Sequence, residues 1–419
     1  MSTLKVNKLR DTAGSADAIT LDPNGGAVLA GVTTVTSVKV GAAVTISESG
    51  IEASGIGITC ASINGGQLGG RRNLIINGAM NFAQRGTSST SSGYYTVDRF
   101  QVNYNGTDEA TTQAQVDVAS GTTPYTLGFR KALKITNGNQ TSGAGAADFI
   151  RILYYIEAQD LANSGWNYKS SSSYITLSFW VKSSVAQTYY TNFRSYDGTQ
   201  QMYYFSYALS ADTWTKVTKT IPGNSNLTFD NDNGQGMYIQ WYQYRGTDNT
   251  GTVTADQWNA LNTSAFTPDQ TSTWYTTNDA TFEVTGVQLE VGSQATTFEH
   301  RSLAEELTLC ERYCEVILEG EGDGAYMVNS VGYHTDQMYA IFRFKVEKRV
   351  SPTLEHTTGS NYYINYRNNS GVNFDSFTGM SWPNKRATGV YNNSSVTAGH
   401  AGLVGSSNTG ARLYVTAEL

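Results

Sequence analysis

Between residues 174 and 244 the chain repeatedly alternates apolar residues with polar or aromatic ones at a period of two. That pattern dictates strands with two unlike faces. Over residues 174–182, Ile175, Leu177, Phe179 and Val181 fall on one side, and Tyr174, Thr176, Ser178 and Trp180 on the other. Over residues 237–244, Met237, Ile239 and Trp241 oppose Tyr238, Gln240, Tyr242 and Tyr244. Over residues 188–196, Thr188, Tyr190, Asn192, Arg194 and Tyr196 form one polar-aromatic row. Successive side chains of a strand point to opposite faces, so each strand needs a core on one side and tolerates water on the other. An antiparallel jelly-roll sandwich over residues 71–300 meets both demands.

Residues 1–70 differ from everything after them. They contain no aromatic residue, and Gly, Ala, Thr, Val and Ile dominate. Short alternating runs, such as residues 32–40 and 43–47, are punctuated by Asn24-Gly25-Gly26, Gly41, Gly50 and Gly65-Gly66. Strands this short cannot enclose a core within one chain. Three chains around a common axis can do so, each giving one apolar row. An intertwined N-terminal β shaft in a homotrimer is therefore expected in preference to a flexible linker, because linkers rarely carry so many β-branched residues.

A short connecting helix is expected within residues 301–318. Ser302 can cap it, and Glu305 and Glu306 lie in the first turn, where the helix dipole favours them. Leu303, Leu307, Cys310, Cys314 and Ile317 recur at the spacing of a coiled-coil seam. That stripe can serve as a trimer seam or pack against the sandwich. Residues 319–419 read as a C-terminal β domain, opened by an acidic hinge at Glu319, Glu321 and Asp323. In it Phe342 to Val346 alternate, Pro352 breaks the strand, and residues 412–417 form a terminal strand. The fold class is thus mostly β.

Charged residues make up only 15% of the chain, which covers itself instead with hydroxyls and amides, as extracellular and virion β proteins do. A net charge of −7 argues against a nucleic-acid partner, which needs a basic stripe. No apolar run approaches a membrane span, so no membrane insertion is expected. The opening residues lack a signal-peptide hydrophobic region. An outward-facing composition without a secretion signal fits a protein made in a bacterial cytoplasm and released by lysis.

Three cysteines, Cys60, Cys310 and Cys314, are too few for a disulfide framework, and no further ligands accompany them for zinc. Phosphate loops, nucleophile elbows and H-E-x-x-H are absent. The run from Asp230 to Gly234 offers oxygen ligands but lacks the glycine and glutamate of a calcium loop, so a solvated turn is expected. His300 reads as structural. No cofactor and no metal are expected, and no catalytic residue is assigned.

Three segments resemble phage tail fibre proteins that carry a jelly roll akin to carbohydrate-binding modules. Arg72-Asn73-Leu74-Ile75-Ile76-Asn77-Gly78-Ala79-Met80, with Gln84-Arg85-Gly86 and Tyr95-Thr96-Val97-Asp98-Arg99-Phe100, is similar to that domain's opening. Gly286-Val287-Gln288-Leu289-Glu290-Val291-Gly292 and residues 295–301 are similar to its closing strand. Residues 306–314 are similar to the helix that follows, and residues 342–352 to the family's C-terminal domain. The first eleven residues resemble fibre-type proteins of marine podophages, particularly cyanophages. Asn81 and Phe82 stand where related modules often place an acidic calcium ligand, so no calcium is inferred.

The resemblance implies a homotrimeric virion tail fibre, a receptor-binding protein for host adhesion. Its partners would be other copies of itself, other virion tail proteins at the N-terminal region, and bacterial surface glycan. Residues 1–70 match no tail-docking domain of the family, so an adaptor or another fibre can intervene. An architectural virion protein is the alternative. A polysaccharide depolymerase is the enzymatic rival, but it usually needs a long solenoid period, and none is present. An enzyme is not expected.

Sugar sites combine flat aromatics with fixed hydrogen-bonding groups. Strand alternation offers Trp180, Tyr190, Arg194, Gln240, Tyr242 and Tyr244 as such a surface on one sheet face; burial against a neighbour is the competing role. The C-terminal tip, with Tyr362, Tyr363, Tyr366 and Asn368, competes as receptor site. Trimer formation is directly testable. Light scattering at micromolar concentration should give three times the 45.5 kDa of one chain, and a monomer would rule the shaft out.

Overall fold

A computed structural model describes residues 72–320, 325–392 and 396–419, together with six short strands nearer the N-terminus. Met1–Ala61 and Ser62–Leu419 are separate units. In the first, Lys8–Leu9, Ile19–Leu21 and Ala27–Leu29 pair as one antiparallel sheet, and Ser37–Val40, Val44–Ser47 and Gly50–Ala53 as another. Whether their apolar rows line an axis shared by three chains is a matter of side chains outside the described residues. Cys60 and the hinge residues Glu321 and Asp323 lie outside them too.

In the second unit the alternating segments build an antiparallel two-sheet sandwich. One sheet has the order Thr215–Pro222, Tyr174–Ser183, Thr281–Val291, Lys131–Thr136, Thr112–Asp117, Ser88–Ser89. The other runs Trp258–Ala260, Gln201–Leu209, Gln187–Ser195, Gln235–Arg245, Phe149–Glu157, Phe100–Asn105. Ile175, Leu177, Phe179 and Val181 of the first sheet meet Met237, Ile239 and Trp241 of the second, all fully buried. Their alternation with polar neighbours is what assigns each strand its inner face. Gly286 interrupts the register of its strand with a φ of 62°. A Cβ there would sit 2.6 Å from the Phe129 ring, so glycine is required by space as well as by dihedral.

The helix is shorter than expected. It spans Leu303–Glu311, capped by Ser302 Oγ accepting from the Glu305 N–H at 3.2 Å. Cys314–Glu319 is a strand paired with Arg412–Thr416, which in turn pairs with Thr353–His356. The predicted seam is therefore not one helical stripe. Leu303 is exposed and Leu307 half-buried, Cys310 packs on Ile76 and Tyr313, and Cys314 and Ile317 belong to the strand. Val316 and Ile317 are β-branched, and an available sheet partner outweighs the modest helical preference of a short segment. A seven-stranded antiparallel sheet completes this β region, with Met338, Phe342, Tyr363, Phe374, Val390 and Val404 in its core.

The residues that carried the family resemblance turn out to tie these parts together. Asn73 Oδ1 accepts from the N–H groups of Ile75 and Leu289 at 2.9 and 3.0 Å, while its Nδ2 donates to the Val287 carbonyl. Glu299 accepts from the Arg72 and Asn73 N–H groups. Arg301 pairs with Glu299 and Glu306, and Glu306 also accepts the Asn77 N–H. Beyond the helix, Glu157 takes the Arg312 guanidinium at 2.7 and 2.8 Å and the Tyr313 hydroxyl. Buried Arg85 and Arg99 converge on Glu418 near the chain's end, and Arg99 lies 3.5 Å over the Tyr313 ring. The acidic turn at Asp230 to Gly234 docks on this region: Asn233 exchanges hydrogen bonds with Arg349. So that turn is a contact between the two β regions.

Two outcomes follow from this interface. Glu418→Gln leaves two buried guanidiniums short of their counter-charge and should cost about 3–5 kcal/mol in urea unfolding. Asp98 is held beside Gln84, whose N–H and Nε2 donate to it at 3.0 and 2.7 Å. Burial, only partly offset by Arg85 and those bonds, pushes its carboxyl up to about 6. Its folded value thus exceeds the unfolded value of about 3.9, so its contribution to stability is full below that value and is lost as pH rises through 6. The stability difference between wild type and Asp98→Asn should shrink across that window and stay flat above it. A difference independent of pH would refute the assignment.

Candidate functional site

The outer face of the second sheet is the side turned away from the sandwich core. At its centre Gln235–Arg245 sends Met237, Ile239 and Trp241 inward and Tyr238, Gln240 and Tyr242 outward. Cross-strand register then sets the outward neighbours: Arg151 and Tyr190 flank Tyr242, Asn192 faces Gln240, and Tyr155 and Arg194 flank Tyr238. Between Ile150 and Arg151 the register shifts, so that Arg151 pairs with Tyr242 but Ile150 with Tyr244, skipping Gln243. This bulge turns Tyr244 into the core, 4.6 Å from the Tyr275 ring, and puts Arg245 opposite Phe149 on the outer side.

Aromatic rings and guanidiniums interleave along this face. Tyr238 contacts Tyr155 at 5.3 Å and Tyr196 at 5.5 Å between ring centroids, and Arg194 lies over both Tyr196 and Tyr238. Arg194 donates to Gln200 Oε1 at 3.0 and 2.6 Å and to the Tyr238 hydroxyl at 3.1 Å. Arg151 donates to Gln240 Oε1 at 2.6 Å and to Asn103 Oδ1 at 3.2 Å. The segment after Arg245 folds back over one end: Phe266 packs with Met202 and Tyr242, and its carbonyl accepts from Asn192 Nδ2 at 3.1 Å. Burial raises the Tyr238 and Tyr242 phenols, so both stay protonated donors at neutral pH. Gln240 and Asn192 are fully buried, yet Gln240 Nε2 and Asn192 Oδ1 have no hydrogen-bond partner among the described residues. Both side chains are wholly enclosed, so the groups this face leaves accessible are the half-buried Arg151, Tyr155, Tyr190, Arg194 and Tyr196.

The structure brings together four of the six residues expected on one face: Tyr190, Arg194, Gln240 and Tyr242. Tyr244 is lost to the core through the bulge. Trp180 belongs to the other sheet, since its strand pairs with Thr281–Val291 and Thr215–Pro222. It lines a separate cleft of about 250 Å³ with Phe129, Lys216, Phe298 and His300. There the His300 Nε2 lies 3.0 Å from the Leu127 carbonyl and its ring packs on Phe129 and Phe298, a structural role. Among the tip residues, Tyr363 is fully buried in the C-terminal core and Tyr362 packs against it. Tyr366 and Asn368 line an open cleft of about 600 Å³ with Asn329, Ser370 and Leu403. Sequence reasoning passed over Arg151, Tyr155 and Arg245. The alternation of Ile150, Ile152, Tyr154 and Ile156 with Arg151 and Tyr155 held the signal for the first two; nothing in the pattern announces the bulge that delivers Arg245.

No family model and no curated protein matches the sequence. Among solved structures, the chain is similar to the enzymatically active domain of tailspike protein 4 of bacteriophage CBA120, at 11% identity and a TM-score of 0.29, covering 52% of this chain and 21% of that one. It is similar to the CBM22-1 xylan-binding domain of Paenibacillus barcinonensis Xyn10C, at 10% identity and a TM-score of 0.26, covering 56% and 100%. A family 11 carbohydrate-binding module of a Clostridium thermocellum cellulase is similar at 12% identity and a TM-score of 0.24, covering 51% and 98%. The fold itself is a mostly β protein of several antiparallel sheets, built around a sandwich.

Proposed function

We propose that this chain is a glycan-binding tail fibre protein of a bacteriophage virion, holding the particle to a bacterial surface through the outer face of its second sandwich sheet. The observation that carries the binding reading is that face. Half-buried Tyr155 and Tyr196 supply ring surfaces for the C–H faces of sugars, while half-buried Arg151 and Arg194 beside them supply hydrogen-bond donors. None of the residues named on this face is a carboxylate, and hydrolysis of a glycosidic bond uses two; binding without cleavage is the reading adopted. Placement in a virion tail, trimerisation and attachment to other tail proteins rest on the family resemblance and on the small apolar residues of the first seventy positions.

One observation favours a second location for receptor contact. The cleft of Tyr366 and Asn368 in the C-terminal β region is large and open, with amides and an aromatic ring at its wall. Binding of the full chain to a glycan array distinguishes the two. Tyr155→Ala and Tyr196→Ala should each weaken binding by about 1 kcal/mol or more, while Trp180→Ala and Asn368→Ala leave it unchanged. If Asn368→Ala alone abolishes binding, the receptor site is the C-terminal cleft and the sheet face is structural.

A further inference from the structure

We propose that the sheet face takes an acidic glycan, one bearing carboxylate or sulfate groups, with Arg151 and Arg245 as the anion-binding pair and Arg194 as a further contact; this rests on the glycan-binding reading above. The contrast with four arginines elsewhere in the chain motivates it. Arg85, Arg99, Arg301 and Arg312 each meet a glutamate. Arg151, Arg194 and Arg245 pair with no carboxylate among the described residues. Their partners are neutral: Gln240 and Asn103 for Arg151, Gln200 and Tyr238 for Arg194. The Arg245 side chain makes no hydrogen bond to a described residue and is held only by its stacking on Phe149 and Phe266, at 4.9 and 5.2 Å.

Arg151 and Arg245 also share a ring. Both guanidiniums lie against the one Phe149 ring, at 4.8 and 4.9 Å from its centroid. Burial and, to a smaller degree, the charge of Arg151 disfavour the Arg245 cation, and an anion bound nearby offsets both. The planar guanidinium fork matches the two oxygens of a carboxylate or sulfate, which a hydroxyl-only sugar cannot offer. Arg194 lies level with Tyr238, four strand residues or about 13 Å along from Tyr242. An extended chain with charges on successive sugars fits that separation, and a single small anion does not. The chain's net charge of −7 makes the attraction local, since polyanions are otherwise repelled.

The test is an array carrying neutral, uronic-acid and sulfated glycans, probed with the full chain and its variants. Binding should concentrate on the uronic-acid or the sulfated group, which identifies the anion, and should fall with added salt. Arg151→Gln and Arg245→Gln should each weaken it about tenfold or more, while Arg130→Gln, an exposed arginine outside this sheet, leaves it unchanged. Binding confined to neutral glycans overturns the acidic ligand and spares the glycan-binding reading. Absence of binding to every glycan overturns both. Acidic binding untouched by both arginine variants overturns the site. Should either variant melt early, Arg151→Lys and Arg245→Lys keep the charge but lose the fork; unchanged affinity in those variants, or indifference of the wild type to salt, overturns the proposal.

Discussion

Arg99 is a fully buried cation whose burial would be prohibitive alone. Glu418 meets its guanidinium, the Tyr313 ring covers it, and the Tyr155 carbonyl accepts from it at 2.7 Å. These four residues come from the start of the sandwich, its strand Phe149–Glu157, the turn after the helix and the last residues of this sequence. Satisfying one charge therefore requires all four segments in place. The same logic extends outward through Arg85 to Glu418 and through Arg312 and Tyr313 to Glu157. Such networks lend specificity more than raw stability, because each partner is costly when unpaired. They fix how the sandwich meets the C-terminal β region.

The candidate face meets that interface at Tyr155, whose carbonyl accepts from Arg99 while its ring packs on Tyr238. The segments that resemble tail fibres lie at the hub and are spent on backbone groups and on ion pairs. The sheet face with Tyr238, Gln240 and Arg151 lies outside those motifs, and its arginines have only neutral partners. Within one molecule, then, arginines paired with glutamate act as structural ties, and arginines on rings and amides stand ready for an external anion. Burial is similar in the two sets; the identity of the neighbours separates them.

The sandwich was legible because alternation at period two has few other physical readings. Ile175, Leu177, Phe179, Val181, Met237, Ile239 and Trp241 all reach the core the pattern assigned them. The site was legible in part. Tyr190, Arg194, Gln240 and Tyr242 share a face because no irregularity intervenes between them. Tyr244 does not, since a single skipped residue inverts the face of everything beyond it. Trp180 was misplaced for a different reason: periodicity reports which side of its own strand a residue occupies and is silent on which sheet that strand joins.

What the chain carries in its order of residues is therefore local: strand period, the Ser302 cap, the inner face of each strand, and a polar-aromatic surface with few charges. Its helix illustrates the limit. Residues 302–317 satisfy a helical spacing throughout, yet the helix stops at Glu311 because Arg412–Thr416, a hundred residues away, offers Cys314–Glu319 a sheet edge. Bulge position, sheet membership and the pairing of each arginine are likewise set by partners distant in sequence. Short-range pattern fixes what a segment can bury; which charge finds a counter-charge depends on where the folded chain returns.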